Sequence, residues 1–263
     1  MSLWAPAPCL GQFAFDRESV RAQWSALHIA DALPCPTRDA PLDGWALFHT
    51  GLFERALNAG HALPGADGAA LSCRASACHT ALVEPNPATR LLQLNQLHMR
   101  ACTYAALSPR SADAWFWQGW ALTQYMHCFG IAPALGQGLA MPAIAALRCA
   151  LALEPRHAFA RLMLGTLQAF VIHAMGSFGA LMGYGVRTDN AVERLCSALR
   201  IAPASPAVLY EAAQALLLLG EEHAPKAHTL LERAAQHSPR DACQWLWVEK
   251  ARAAQTPDNT YSR

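Results

Sequence analysis

The chain has 263 residues, 53% of them hydrophobic and 15% charged, with 20 Lys and Arg against 19 Asp and Glu. A chain of this length and composition can build one large domain or two small ones around a buried core, which excludes an intrinsically disordered protein. Its net charge of +1 and scattered basic residues lack the electrostatic footprint of a nucleic-acid binder, so no DNA or RNA partner is expected.

The nine cysteines are odd in number, dispersed and never spaced C-x2-C, which fits neither a disulfide framework nor a zinc site. They read as small core residues in a reducing cytoplasm. The N-terminal MSLWAPAPCLGQFAFDRESV lacks the basic and continuous apolar regions of a secretory signal, so a cytoplasmic location is expected.

In chain order, Asp16 is placed to cap a helix over residues 17 to 32, which Pro34 and Pro36 break. WALFHTGLFERALNAG, residues 45 to 60, carries Gly51-x-Phe53-x2-Ala56, read as the turn and second-helix start of a hairpin whose first helix Pro41 shortens. Residues 70 to 83 and 88 to 107 form a divergent helical hairpin ending before Pro109. The division is therefore 1–66 for the N-terminal helices, 67–109 for that hairpin, 110–256 for a regular helical array with its capping helix, and a disordered tail over 257–263. The capping helix is expected to begin near Asp241 and to turn Glu249, Lys250 and Arg252 to solvent.

From residue 110 onward one pattern recurs with fixed spacing, A-x3-L-x2-A-x4-P: Ala143, Leu147, Ala150, Pro155; then Ala191, Leu195, Ala198, Pro203; then Ala227, Leu231, Ala234, Pro239. Spacings of four and three put the apolar groups on one helical face, and the proline ends the helix. Trp115 and Gly119 fall 6 and 10 residues after Pro109, Gly165 falls 10 after Pro155, and Trp245 falls 6 after Pro239. This co-phasing resembles the tetratricopeptide repeat, a helix A and helix B pair over 34 residues. The resemblance implies an all-α, tetratricopeptide-like helical-hairpin solenoid. Two repeats exceed the consensus length by 12 and 14 residues, and measurement from Gly119 to Ala143 and from Gly165 to Ala191 puts the whole excess between helices A and B.

The order of LFHTGLFERA, AWFWQGWAL, LEPRHAFARLMLG and GALMGYGVRTD also resembles a group of poorly characterised bacterial tetratricopeptide proteins. Their relatives, the T-components of certain periplasmic transporters, imply small apolar ligands in a helical-repeat pore, although those proteins are exported.

No G-x-S-x-G, H-E-x-x-H or Walker motif is present, and the eleven histidines form no ligand motif, so neither an enzyme nor a metal or cofactor is expected. Residues 114 to 147 and 162 to 186 contain no Asp, Glu, Lys or Arg. They are long enough to span a membrane, but their glutamines, glycines and repeat phase favour a packed solenoid.

The resemblance places helix-A positions such as Phe116, Trp120, Gln124, Tyr210 and Gln214 on the concave surface, giving an aromatic, nearly neutral groove. The second insertion, residues 173 to 189, adds Tyr184 and Arg187. Its Phe178, Leu181, Met182 and Tyr184 are expected to pack on the first insertion, residues 129 to 140, as a lid beside Phe116, Trp120 and Tyr210. Asp189 and Asn190 are expected to cap the following helix. The groove has two possible uses. The first is a non-catalytic scaffold binding a protein partner; the alternative is a small apolar ligand held under the insertions. If the insertions fill the groove instead, it is simply core.

Overall fold

A computed structural model describes residues 4–255, and among these residues there are thirteen α-helices, one 3-10 turn and no strand. The tail over 257–263 lies outside the described residues. Helix α1 (Arg17–Leu27) is capped by Asp16, whose carboxylate accepts from the Ser19 amide at 2.8 Å. Helices α2 (Asp39–Thr50) and α3 (Phe53–Ala62) turn at Gly51, which sits in the left-handed region at φ 95°. A left-handed residue after a helix returns the chain at little cost only when it is glycine. Helices α4 (Gly65–Leu82) and α5 (Pro87–Leu107) form the next hairpin, the second capped by Asn86.

The repeats with clear consensus come next. Helix α6 (Ala112–Phe129) pairs with α8 (Ala140–Leu153), α9 (Ala158–Tyr184) with α10 (Thr188–Ile201), and α11 (Pro206–Leu219) with α12 (Ala224–Ala235). The expected crossings are present. A Cβ added at Gly165 would meet Leu195 Cδ2 at 2.9 Å and the Ala191 carbonyl oxygen at 3.2 Å, and one at Gly119 would meet Leu147 and, at 3.1 Å, the Ala143 carbonyl. The fixed phase of glycine against A-x3-L is thus the close approach of helix A to helix B. Each A helix also packs on the next, from α2 through α4, α6, α9 and α11 to α13 (Ala242–Ala253).

The solenoid does not stay open. Helix α13 packs back on α2 and α4, and Ala242 and Leu246 share one apolar cluster with Trp45, Phe48 and Leu71. At this seam His49 Nδ1 lies 2.6 Å from Asp241 Oδ2, both side chains being almost fully buried. The other Asp241 oxygen accepts from the Gln244 amide and caps α13. Six A helices therefore enclose a central space, with the B helices outside.

The insertions differ from expectation. The first contains a short helix, α7 (Ile131–Gly136), packed on α6 and α9. The second is not a simple glycine turn: α9 continues helically to Tyr184 across a kink at Gly176 (φ 70°, ψ 163°) and reverses at the left-handed Gly185. Helix α10 begins at Thr188 with Arg187 as its N-cap, so Asp189 and Asn190 lie inside its first turn and do not cap it. Tyr184 packs partly on the apolar cluster that holds Ala134, Val171 and Ala180, but Phe178 and Met182 are 77% and 72% exposed. The expected lid does not form: these two side chains stand in solvent instead of packing on the first insertion. One more expectation fails in α13, where Lys250 turns inward over the rings of Tyr210 and Trp247 instead of solvating the outer surface.

Candidate functional site

The central space holds a cavity of about 200 Å³ that is partly open to solvent. Its wall is contributed by α4 (Arg74, Ala77, Cys78), α6 (Phe116, Trp117, Trp120), α9 (Phe159, Leu162, Met163), α11 (Ala207, Glu211) and α13 (Gln244, Trp247). The walls are largely aromatic and aliphatic because these residues occupy the inward stripe of successive A helices. No residue of either insertion lines it.

One side is covered by the end of α1 and the segment that links it to α2. Ala26, Leu27, Ile29 and Ala30 face the cavity, and the Ala30 carbonyl accepts a hydrogen bond from the Phe159 amide at 3.0 Å. This plug is pinned by buried polar contacts. Asp31 takes His28 Nδ1 at 3.0 Å and Arg74 Nη1 at 3.3 Å on one oxygen, and the Leu33 amide at 3.2 Å on the other. Trp24 Nε1 donates to the Leu33 carbonyl. Between them Ala32 is held at φ 54°, a left-handed conformation that costs a non-glycine residue about 1 kcal/mol or more. Buried charge of this kind persists only when paired.

The electrostatics are set by burial. Burial alone would raise Asp31, but His28 and Arg74 outweigh it and hold its carboxyl well below the usual range. Asp113, at the start of α6, is pushed up to about 7 by burial and by the Asp31 charge, with Arg74 offsetting part of the effect. His157 is pulled down to about 4 by burial; neutral, its Nδ1 accepts from the Ala160 amide and caps α9. Burial likewise lowers His49 and Lys250 and raises Glu211, while Asp241 opposes the first shift and the Lys250–Glu211 attraction opposes the other two.

Of the residues singled out from sequence, Phe116 and Trp120 line the cavity. Tyr210 is buried beside Trp247, with ring centroids 5.6 Å apart, and carries Lys250 over its face. Gln124 and Gln214 are half-buried on the same A helices but are not part of the cavity wall. Tyr184 and Arg187 lie in the second insertion, away from the cavity, with Arg187 exposed. Sequence reasoning missed Arg74, whose only signal was its position as the one charged residue in GAALSCRASACHTALV, residues 68 to 83. It also missed the plug, which no local pattern announces.

Among the described residues no group of three or more His, Cys, Asp or Glu side chains is arranged to hold a metal ion. Helix α9 is long and apolar enough to cross a membrane, and 72% of its most apolar window is buried within the fold.

No family model matches the chain, and no curated protein matches it in sequence. Among solved structures it is similar to TTC0263, a thermophilic tetratricopeptide-repeat protein of Thermus thermophilus, at 19% identity over 80% of this chain and 95% of that one, with a TM-score of 0.55. MamA (17% identity, 84% and 99% covered, TM-score 0.41) and a monomeric IFIT1 mutant with a capped RNA (16%, 91% and 64%, TM-score 0.44) are more distant in structure. With the helix pairs, their crossing glycines and this likeness together, the fold is a tetratricopeptide-like helical solenoid.

Proposed function

We propose that the protein is a non-catalytic binding module whose site is the cavity inside the closed ring, and that its ligand is a small molecule with a substantial apolar body. The observation that carries this reading is the concavity: a preformed, largely apolar pocket of about 200 Å³, partly open to solvent, walled by five A helices and covered on one side by the end of α1 and the α1–α2 segment. A cavity of about 150 Å³ accepts benzene, so this one suits roughly ten non-hydrogen atoms. Nine free thiols among the described residues support a cytoplasmic setting.

A second reading, a scaffold for a protein partner, is favoured by the ridge of Met175, Phe178, Leu181 and Met182, all exposed on the second insertion. Native mass spectrometry of the purified protein, followed by denaturing release, separates the two readings. The cavity reading expects a bound small molecule lost on unfolding. A protein instead retained by the wild type and lost from Phe178→Ser, with no small molecule released, supports the scaffold and overturns the first reading.

A further inference from the structure

Arg74 is an unusual wall for an apolar cavity. Its side chain is 13% exposed, and it lines the cavity whereas its counterion Asp31 does not. Among the described residues its only ion-pair partner is Asp31, at 3.3 Å from a single guanidinium nitrogen, and no hydrogen bond of good geometry from Arg74 is present. Asp31 is already shared with His28 and the Leu33 amide. A guanidinium has five N–H donors, and leaving them without acceptors in a buried setting is costly. The faces of Phe159, Trp117 and Phe48, whose centroids lie 5.1, 5.9 and 5.9 Å from the guanidinium carbon, fix the group in place but accept no directed hydrogen bond of carboxylate quality.

The remaining charged groups of the wall are committed elsewhere. Asp241 bonds to His49 and caps α13, Glu211 faces Lys250, and Arg240 is exposed to solvent. The cavity therefore presents one cationic fork at an aromatic wall, committed to Asp31 through a single nitrogen and with its other donors left for a ligand. A planar anion is what such a fork recognises, through two parallel charge-assisted hydrogen bonds.

Resting on the cavity reading above, we propose that the ligand is an amphipathic carboxylate of roughly ten non-hydrogen atoms, its apolar body against Phe116, Trp117, Trp120 and Trp247 and its carboxylate on Arg74. The apolar part is recognised by burial and the head group by the guanidinium, so a neutral analogue of the same shape loses only the second contribution.

The test uses two isosteric pairs, 3-phenylpropanoate with 3-phenylpropanamide and octanoate with octanamide, together with propylbenzene. Binding to the full chain is followed by calorimetry and by the fluorescence of Trp117, Trp120 and Trp247. Each acid is expected to bind the wild type at least about tenfold more tightly than its amide, the gap expected of charge-assisted hydrogen bonds. The gap should close in Arg74→Gln and survive in part in Arg74→Lys. If Arg74→Gln does not fold, the wild-type comparison and Arg74→Lys decide alone. Acid and amide binding equally, with propylbenzene also bound, overturns the carboxylate assignment and leaves the cavity reading standing. No binding by any of the five probes overturns both.

Discussion

Residues 162 to 186 contain no Asp, Glu, Lys or Arg, yet the two halves of this run meet opposite surroundings. From Leu162 to Ile172 nearly every side chain is buried, because this half of α9 is flanked by α6, α10 and α11. Beyond the kink at Gly176, Phe178 and Met182 stand 77% and 72% exposed. Equal hydrophobicity does not give equal burial. What decides is whether a face is covered, as that of Leu162 to Ile172 is and that of Phe178 and Met182 is not.

The largest expected effect probes the covered half. Gly165→Leu is expected to destabilise at the upper end of about 1–3 kcal/mol, since even a Cβ there would meet Leu195 Cδ2 at 2.9 Å and the backbone of α10 at 3.2 Å. Chemical denaturation measures it; a midpoint equal to that of wild type would show that α9 and α10 do not cross at this residue.

The next effect concerns charge, which the inner face carries and the ridge does not. Asp113 has a folded pKa of about 7 against an unfolded value near 3.8, so the folded state retains its proton where the unfolded chain has released it. The resulting stability is fully present below the unfolded value and is lost as pH rises through about 7. His157 and His49, lowered by burial, act in the opposite sense: their contribution is present above the unfolded histidine value of 6.5 and declines as pH falls toward their folded values. Comparison with a variant removes these opposing contributions. Between pH 5.5 and 8, Asp113→Asn is expected to gain about 2 kcal/mol relative to wild type, following 1.36 kcal/mol per pH unit up to the folded pKa. A stability difference independent of pH would mean that Asp113 titrates normally.

The smallest effect belongs to the ridge. Phe178→Ser is expected to change stability by no more than about 0.5 kcal/mol, as for other exposed positions. A loss above about 1 kcal/mol in the melting analysis would show that the ridge is packed after all, and the contrast between the two halves would disappear.

The repeats were legible because their chemistry is local. Gly119 and Gly165 stand at a fixed distance from the alanine and leucine they meet, and each proline marks a helix end. The cavity was legible in part: Phe116 and Trp120 follow from the inward stripe of α6. The plug was not, since Asp31 and Arg74 come from segments outside any consensus and meet only in three dimensions. The ridge was misread for a related reason. Exposure of Phe178 depends on whether its face is covered, and no property of Phe178 or its flanking residues encodes that. The seam was equally invisible, because His49 and Asp241 are 192 positions apart.

An open solenoid behaves as a one-dimensional array: each repeat touches only its neighbours, terminal units fray independently, and repeats can be added with little consequence elsewhere. Joining α13 to α2 removes both free ends from that array. The circumference then fixes the number of hairpins, since one more or one fewer would pull Asp241 away from His49 and open the wall around Trp45 and Leu246. Loss of structure at α2 or α13 is no longer a local event, because each is the other's neighbour. The molecule gives up the extensibility of repeat proteins for the mutual support of its two end hairpins.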